Sequence, residues 1–184
     1  MTDIAGRLIA LTPRLRRHAR GLVADPSRAD DLVQDTLERA WRYRWRFQLR
    51  PTSLGVLGAA SAADGLFAWL LTIMHRLHLN AVRRPDRIEL TDTPPDIPID
   101  DDPGLRLDLV RALASLPEDQ RAVLLLVGLE QFAYKEAASV LGVPVGTVMS
   151  RLSRARERMR IALDGTPAAS NPSRDGSPAL HRVK

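Results

Sequence analysis

The stretch "PDRIELTDTPPDIPIDDDPG", residues 85 to 104, sets the first limit on the fold: five prolines interrupt any helix or strand that tries to cross it, and its seven acidic residues outnumber a single arginine. Proline removes a backbone donor and fixes its own φ, so such a run is extended and builds no core of its own. It reads as a linker. The 184 residues then divide into two blocks, each near the lower size limit for independent stability.

Charge divides the chain in the same places. Residues 1 to 84 carry 14 basic and 7 acidic side chains, residues 85 to 104 carry 1 and 7, residues 105 to 163 carry 9 and 6, and residues 164 to 184 carry 3 and 2. Two basic blocks flank an acidic connector, and a net charge of +5 with a pI near 10.6 points to a polyanionic partner. The tail "GTPAASNPSRDGSPALHRVK" has too little apolar surface to offset the entropy of ordering it and reads as disordered.

Without cysteine, no disulfide framework or thiolate metal site is available. His18, His75, His78 and His181 are scattered; no carboxylate near His75 and His78 completes a ligand set, so packing or surface roles fit them, and no metal or cofactor is expected. The N-terminus lacks a secretory pattern, and no apolar run reaches the ~18 residues of a membrane span. A soluble cytoplasmic protein without membrane insertion is expected.

Periodicity in both blocks is helical, giving an all-α fold. Ile4, Leu8, Leu11, Leu15, Ala19 and Leu22 form one stripe. A second helix is expected from Ser27 as N-cap, with Asp30 and Asp31 in its first turn and Val33, Leu37, Ala40 and Arg44 on its inner edge. After a long loop, a third helix repeats apolar residues at 66, 70, 73, 77 and 81 and stops at Pro85. Three helices can close one small core.

In the second block, "LRLDLVRALASLP" gives the stripe Leu109, Leu113 and Leu116, and "EDQRAVLLLVGLEQF" gives a broad face with Val123, Leu124, Val127 and Leu129. Then come "YKEAASVL", the turn "GVP", and "VGTVMSRLSRARERMR". On that last helix Val148, Leu152, Ala155 and Met159 fall on one stripe, while Thr147, Ser150, Arg151 and Arg154 project away from it, with Arg158 farther along the same line. An arginine-rich helix also fits a plain solvated face. The turn and the small polar residues among the arginines favour a helix-turn-helix entering the DNA major groove.

"LPEDQRAVLLLVGLEQFAYKEAASVLGVPVGTVMSRLSRARERMR" (116 to 160) strongly resembles region 4 of bacterial RNA polymerase sigma factors, above all the small extracytoplasmic-function (ECF) group. "ADDLVQDTLERAWRYRWRF" (29 to 47) looks like regions 2.2 and 2.3, and "FAWLLTIMHRLHLNAVRR" (67 to 84) is similar to region 2.4. The resemblance implies a three-helix region 2 domain over 1–84, an acidic linker over 85–106, a four-helix region 4 domain with the helix-turn-helix over 107–163, and a tail over 164–184.

The sequence has no Gly-rich phosphate loop and no nucleophile–base pair, so no enzymatic activity is expected; the resemblance implies three partners: core RNA polymerase, held at the β′ clamp helices and the β flap; promoter DNA; and an anti-sigma factor. Asp30, Asp31, Gln34, Asp35, Glu38 and Arg39 would face polymerase, although an acidic helix face also fits solvent. Arg42, Tyr43, Trp45, His75, Arg76, Asn80, Arg83 and Arg84 would serve the −10 element, and Thr147, Ser150, Arg151, Arg154 and Arg158 the −35 element. Trp41, also near the opened strand in the family, reads as core. The sequence departs from the family pattern in a longer loop from Gln48 to Gly65, in Arg76 in place of an asparagine, and in Met149 where many relatives are basic. Two other readings are a stand-alone helix-turn-helix regulator, which leaves 28 to 84 unexplained, and a sigma-like decoy, usually fused to a receiver domain.

Overall fold

The computed structural model describes residues 4–23, 25–48, 65–82 and 103–164, and every regular element among them is helical. The first half holds α1 (Ile4–Leu22), α2 (Pro26–Arg42), the short α3 (Arg44–Gln48) and α4 (Gly65–Val82). The second holds α5 (Pro103–Ala114), α6 (Glu118–Leu124), a π-helical turn (Leu125–Leu129), α7 (Tyr134–Leu141) and α8 (Val145–Asp164). The loop expected from Gln48 to Gly65 and the tail expected over 164–184 are trimmed at their ends, since Gln48 closes α3, Gly65 opens α4 and Asp164 closes α8; residues 49–64, 83–102 (with Arg83 and Arg84) and 165–184 lie outside the described residues. α5 starts at Pro103, inside the span expected to be linker, as suits a residue whose fixed φ favours a first helical turn.

α1 buries Leu8, Leu15, Ala19 and Leu22 as its stripe requires, with Ile4 and Leu11 partly covered. α2 begins earlier than its sequence suggests. Asp25, not Ser27, is the N-cap: its carboxylate accepts the Arg28 amide at 3.0 Å and Pro26 opens the helix, so Asp30 and Asp31 lie beyond the first turn. Val33 and Ala40 face inward, but Arg44 is exposed, because the break at Tyr43 rotates α3 relative to α2.

The apolar stripe foreseen for α4 understates its burial. Leu66, Phe67, Ala68, Trp69, Leu70 and Leu71 are all buried, so the front half of α4 is covered on every side, while Ala81 near its end is exposed. α2 packs on one side of it and α7 on another. For that reason the two helical units do not keep separate cores: the buried apolar residues of α1, α2 and α4 run continuously into those of α6, α7 and α8.

The helix after Pro117 does not continue as a simple α-helix. Glu130 donates its amide to the Leu125 carbonyl at 3.0 Å, an i to i+5 bond, and the extra residue turns both Leu125 and Leu126 inward and leaves Leu129 outside. It also swings Glu130 into the interior. Gln131 follows with φ +58°, unusual for a residue with a side chain, and its side-chain amide donates to the Gly128 carbonyl at 2.6 Å. No described helix is long and apolar enough to cross a membrane.

Candidate nucleic-acid interface

The helix-turn-helix is built as the sequence requires. The Glu136 carboxylate accepts the Ala133 amide at 2.7 Å and ties down the start of α7, and Gly142 ends it with φ +67° and ψ +35°, a conformation where a Cβ is costly. Pro144 then accepts the amides of Thr147 and Val148 and opens α8. Val148, Leu152 and Ala155 are buried, Met159 is partly buried, and Ser150, Arg154 and Arg158 are exposed. Thr147 is half-buried, and Met149, 53% exposed, stands on the outward side among the polar residues.

Arg151 differs from its neighbours. Its Nε lies 3.0 Å from Asp119 Oδ2 in the first turn of α6, so the guanidinium is braced across the domain while Arg154 and Arg158 point into solvent. Farther along, Arg160 is held by Glu157 and Asp164 on its own helix, both exposed pairs.

The second cluster joins α2 and α3. Trp41 and Trp45 are 48% and 49% exposed, so Trp41 is a surface residue and not core as expected; the α2 stripe that faces inward ends at Ala40. The Arg44 guanidinium stacks over Trp41 with 4.4 Å to the ring centroid and donates to the Trp41 carbonyl at 2.8 Å. Arg46 lies 5.0 Å from the Tyr43 ring and 5.1 Å from that of Trp45. Phe47, by contrast, stacks on buried Trp69 at 5.4 Å and anchors α3 to α4. Alternating cations and exposed rings can hold phosphates and stack bases in one surface.

Arg42, Arg76 and Asn80 are exposed and Tyr43 is half-buried. His75 is placed elsewhere: at 7% exposure it lies in the seam between the halves, its Nε2 3.1 Å from Nε2 of His18. On α2, Asp30, Asp31, Gln34, Asp35, Glu38 and Arg39 are all exposed, opposite buried Leu32, Val33, Thr36 and Ala40. Asp30 pairs with Arg16 of α1 at 2.7 Å, and Gln34 donates to Glu38 at 3.2 Å.

Sequence reasoning missed His18 and Glu130. His18 falls three residues after Leu15 and four before Leu22, on the apolar stripe itself, and an imidazole there signals a buried polar partner. That partner is Glu130, whose Oε1 lies 3.3 Å from His18 Nδ1 and whose Oε2 takes Arg14 Nε at 2.7 Å. Burial pushes the Glu130 carboxyl upward, but the hydrogen bond and charge of His18, joined by those of Arg14, outweigh it and hold the group below the usual range.

Comparison with known proteins agrees with this geometry. Residues 106–159 match the family model "Sigma-70, region 4" and residues 8–52 match "Sigma2 domain of PhyR". The chain is 36% identical over 162 residues to the ECF RNA polymerase sigma factor EcfG of Rhodopseudomonas palustris, covering 85% of this chain and 82% of that one. It is 34% identical to the ECF RNA polymerase sigma factor SigE of Mycolicibacterium smegmatis, covering 80% and 56%. Among solved structures, the sigma factor RpoE of Bartonella quintana, crystallised with the anti-sigma factor NepR, superposes with a TM-score of 0.66 at 31% identity and covers 89% of this chain and 98% of that one. The helix-turn-helix of α7 and α8, the aromatic cluster of α2 and α3, and these matches along most of the chain place it in the ECF family of RNA polymerase sigma factors, with regions 2 and 4.

Proposed function

We propose that the chain binds core RNA polymerase in the cytoplasm and brings it to promoters, with region 2 (1–84) acting at the −10 element and region 4 (107–163) at the −35 element. The observation that carries this reading is the pairing, in one chain, of a complete helix-turn-helix with a separate surface of exposed Trp41 and Trp45 interleaved with Arg44 and Arg46. The first chemistry suits duplex DNA and the second suits unpaired bases. A stand-alone helix-turn-helix regulator has no use for the second surface. A decoy needs neither.

On α8, Thr147, Ser150, Arg154 and Arg158 meet the groove and its phosphates, while Arg151 acts from its brace on Asp119. Arg42, Tyr43, Trp45, Arg76 and Asn80, with Arg83 and Arg84 following α4, serve the opened strand; His75 joins them only when the seam parts. The outer face of α2 docks on the β′ clamp helices, and region 4 docks on the β flap. An anti-sigma factor fits as a further partner, since the similar RpoE of Bartonella quintana was solved with one. Mixing the protein with core polymerase tests the reading: the two co-elute in gel filtration, and replacing exposed Asp35 and Arg39 by alanine abolishes co-elution without loss of helix. Separate elution of the parent chain would sink the proposal.

A further inference from the structure

Gly146, Met149, Ser150 and Ser153 are spaced so that they share one side of α8, within about a 100° arc, and all four are exposed. They lie in the first half of the second helix of a helix-turn-helix, the part that reaches base edges in the major groove. Three of them are small or hydroxylic. Met149 is neither, and it leaves 53% of its surface in water.

The polar groups around it are largely committed. Ser150 Oγ donates its hydrogen to the Thr147 carbonyl at 3.1 Å, so this hydroxyl meets a base only as an acceptor. Thr147 itself is half-buried. Between Val145 and Ser153 the only basic residue is Arg151, and its Nε is held by Asp119 at 3.0 Å. No unbraced Arg or Lys is therefore at hand in these turns for two-point reading of guanine. The largest group they offer to a base pair is a thioether.

We propose that Met149 is a specificity-determining residue, which packs its thioether against the C5-methyl group of one thymine and so selects that base in the duplex that α8 enters. The assignment rests on the duplex-binding part of the proposed function, and not on the polymerase.

Three observations favour this partner. The thymine methyl is the one apolar group that a base pair presents in the major groove. Against cytosine or adenine the same side chain would cover an amino group without offering it a strong acceptor, which costs free energy. Met149 is also too isolated to anchor a protein: the other large exposed apolar side chain of α8, Ile161, lies twelve residues on, about 18 Å along the axis. Finally, Gly146, one turn before Met149, serves no packing within the chain, since a Cβ there would meet nothing within 4 Å. The space beside the thioether is clear for the edge of a base pair, and an unbranched, polarisable side chain adapts its shape to a methyl group.

The full-length protein, with core RNA polymerase and in parallel alone, selects duplexes from sheared genomic DNA. On the tightest duplex each thymine is replaced in turn by uracil, which deletes one methyl group and keeps every base-pair hydrogen bond. At one thymine the replacement is expected to weaken binding about fourfold, the effect of one buried methyl group. Met149→Ala weakens binding to the thymine duplex by at least as much and no longer distinguishes uracil from thymine at that position. Met149→Lys, a good helix former, gives the same indifference. A folding defect does not imitate this result, because it weakens both duplexes equally and leaves the methyl effect in place. Uracil scans that are flat for the parent chain, or that are alike for the parent and both variants, overturn the assignment. Selection by the protein alone with the methyl effect intact, and none that depends on polymerase, sinks the sigma-factor reading and keeps Met149; no selection in either arm overturns both.

Discussion

Arg121 on α6 donates from Nη1 to the carbonyl of Leu22, the last residue of α1, across 3.0 Å, although 99 positions separate them. The same guanidinium donates to the carbonyls of Leu113, Ala114 and Leu116 at the end of α5. The final carbonyls of a helix have no partner within it, and a cation there is favoured by the helix dipole. One planar fork thus serves two helix ends, one from each half of the chain.

Arg121→Met removes all four bonds and leaves the carbonyls short of donors, so it is expected to cost about 3 kcal/mol of folding stability. Arg121→Lys keeps the charge but cannot present several donors in a fixed plane, and it recovers only part of the loss. Urea denaturation measures both; a midpoint unchanged in the methionine variant contradicts this role.

Asp119 restrains Arg151 at 3.0 Å. Asp119→Asn removes the charge that holds it and frees a cation for phosphates. Binding of region 4 to duplex DNA is expected to tighten at low salt, and the slope of log affinity against log salt to steepen by about 0.9, the effect of one added phosphate contact. An identical slope shows that Arg151 gains nothing by release.

Trp41 and Trp45 are half exposed and Trp69 is buried. Trp41→Ala and Trp45→Ala are expected to leave the thermal midpoint almost unchanged and to weaken binding to the opened non-template strand by about 1 to 3 kcal/mol for each stack lost. Trp69→Ala, which also removes the support for Phe47, costs about 3 to 5 kcal/mol of stability. Melting curves and single-strand binding separate the two classes.

What was legible in the sequence is what local periodicity determines. Val148, Leu152 and Ala155 had to face inward once α8 was a helix, and Gly142 had to end α7. Trp41 could not be assigned this way, because its neighbour Ala40 takes the last inward position of α2 and a one-residue difference on a helix turns a side chain by about 100°. The seam was less legible still. His18 and Glu130 are 112 positions apart, and Glu130 faces inward only because the π turn adds a residue that no periodic pattern announces. Its one visible signal was the uninterrupted apolar run at the start of α4, too broad for a helix covered from one side.

His75 and His78 are both held below 6.5 and stay neutral in the fold, whereas the unfolded chain protonates them below that value. Folding stability is expected to be flat above pH 6.5 and to fall between 6.5 and about 4, where His78 titrates in the folded chain. Urea midpoints at neutral and mildly acid pH check this, and His78→Gln should flatten part of the decline.

Run-off transcription with core polymerase on fragmented genomic DNA, with and without the protein, tests the assignment most directly. Discrete start sites that depend on the protein, and that weaken when Arg154 and Trp45 are replaced by alanine, are the predicted result. An identical transcript pattern in both reactions would contradict the sigma-factor assignment.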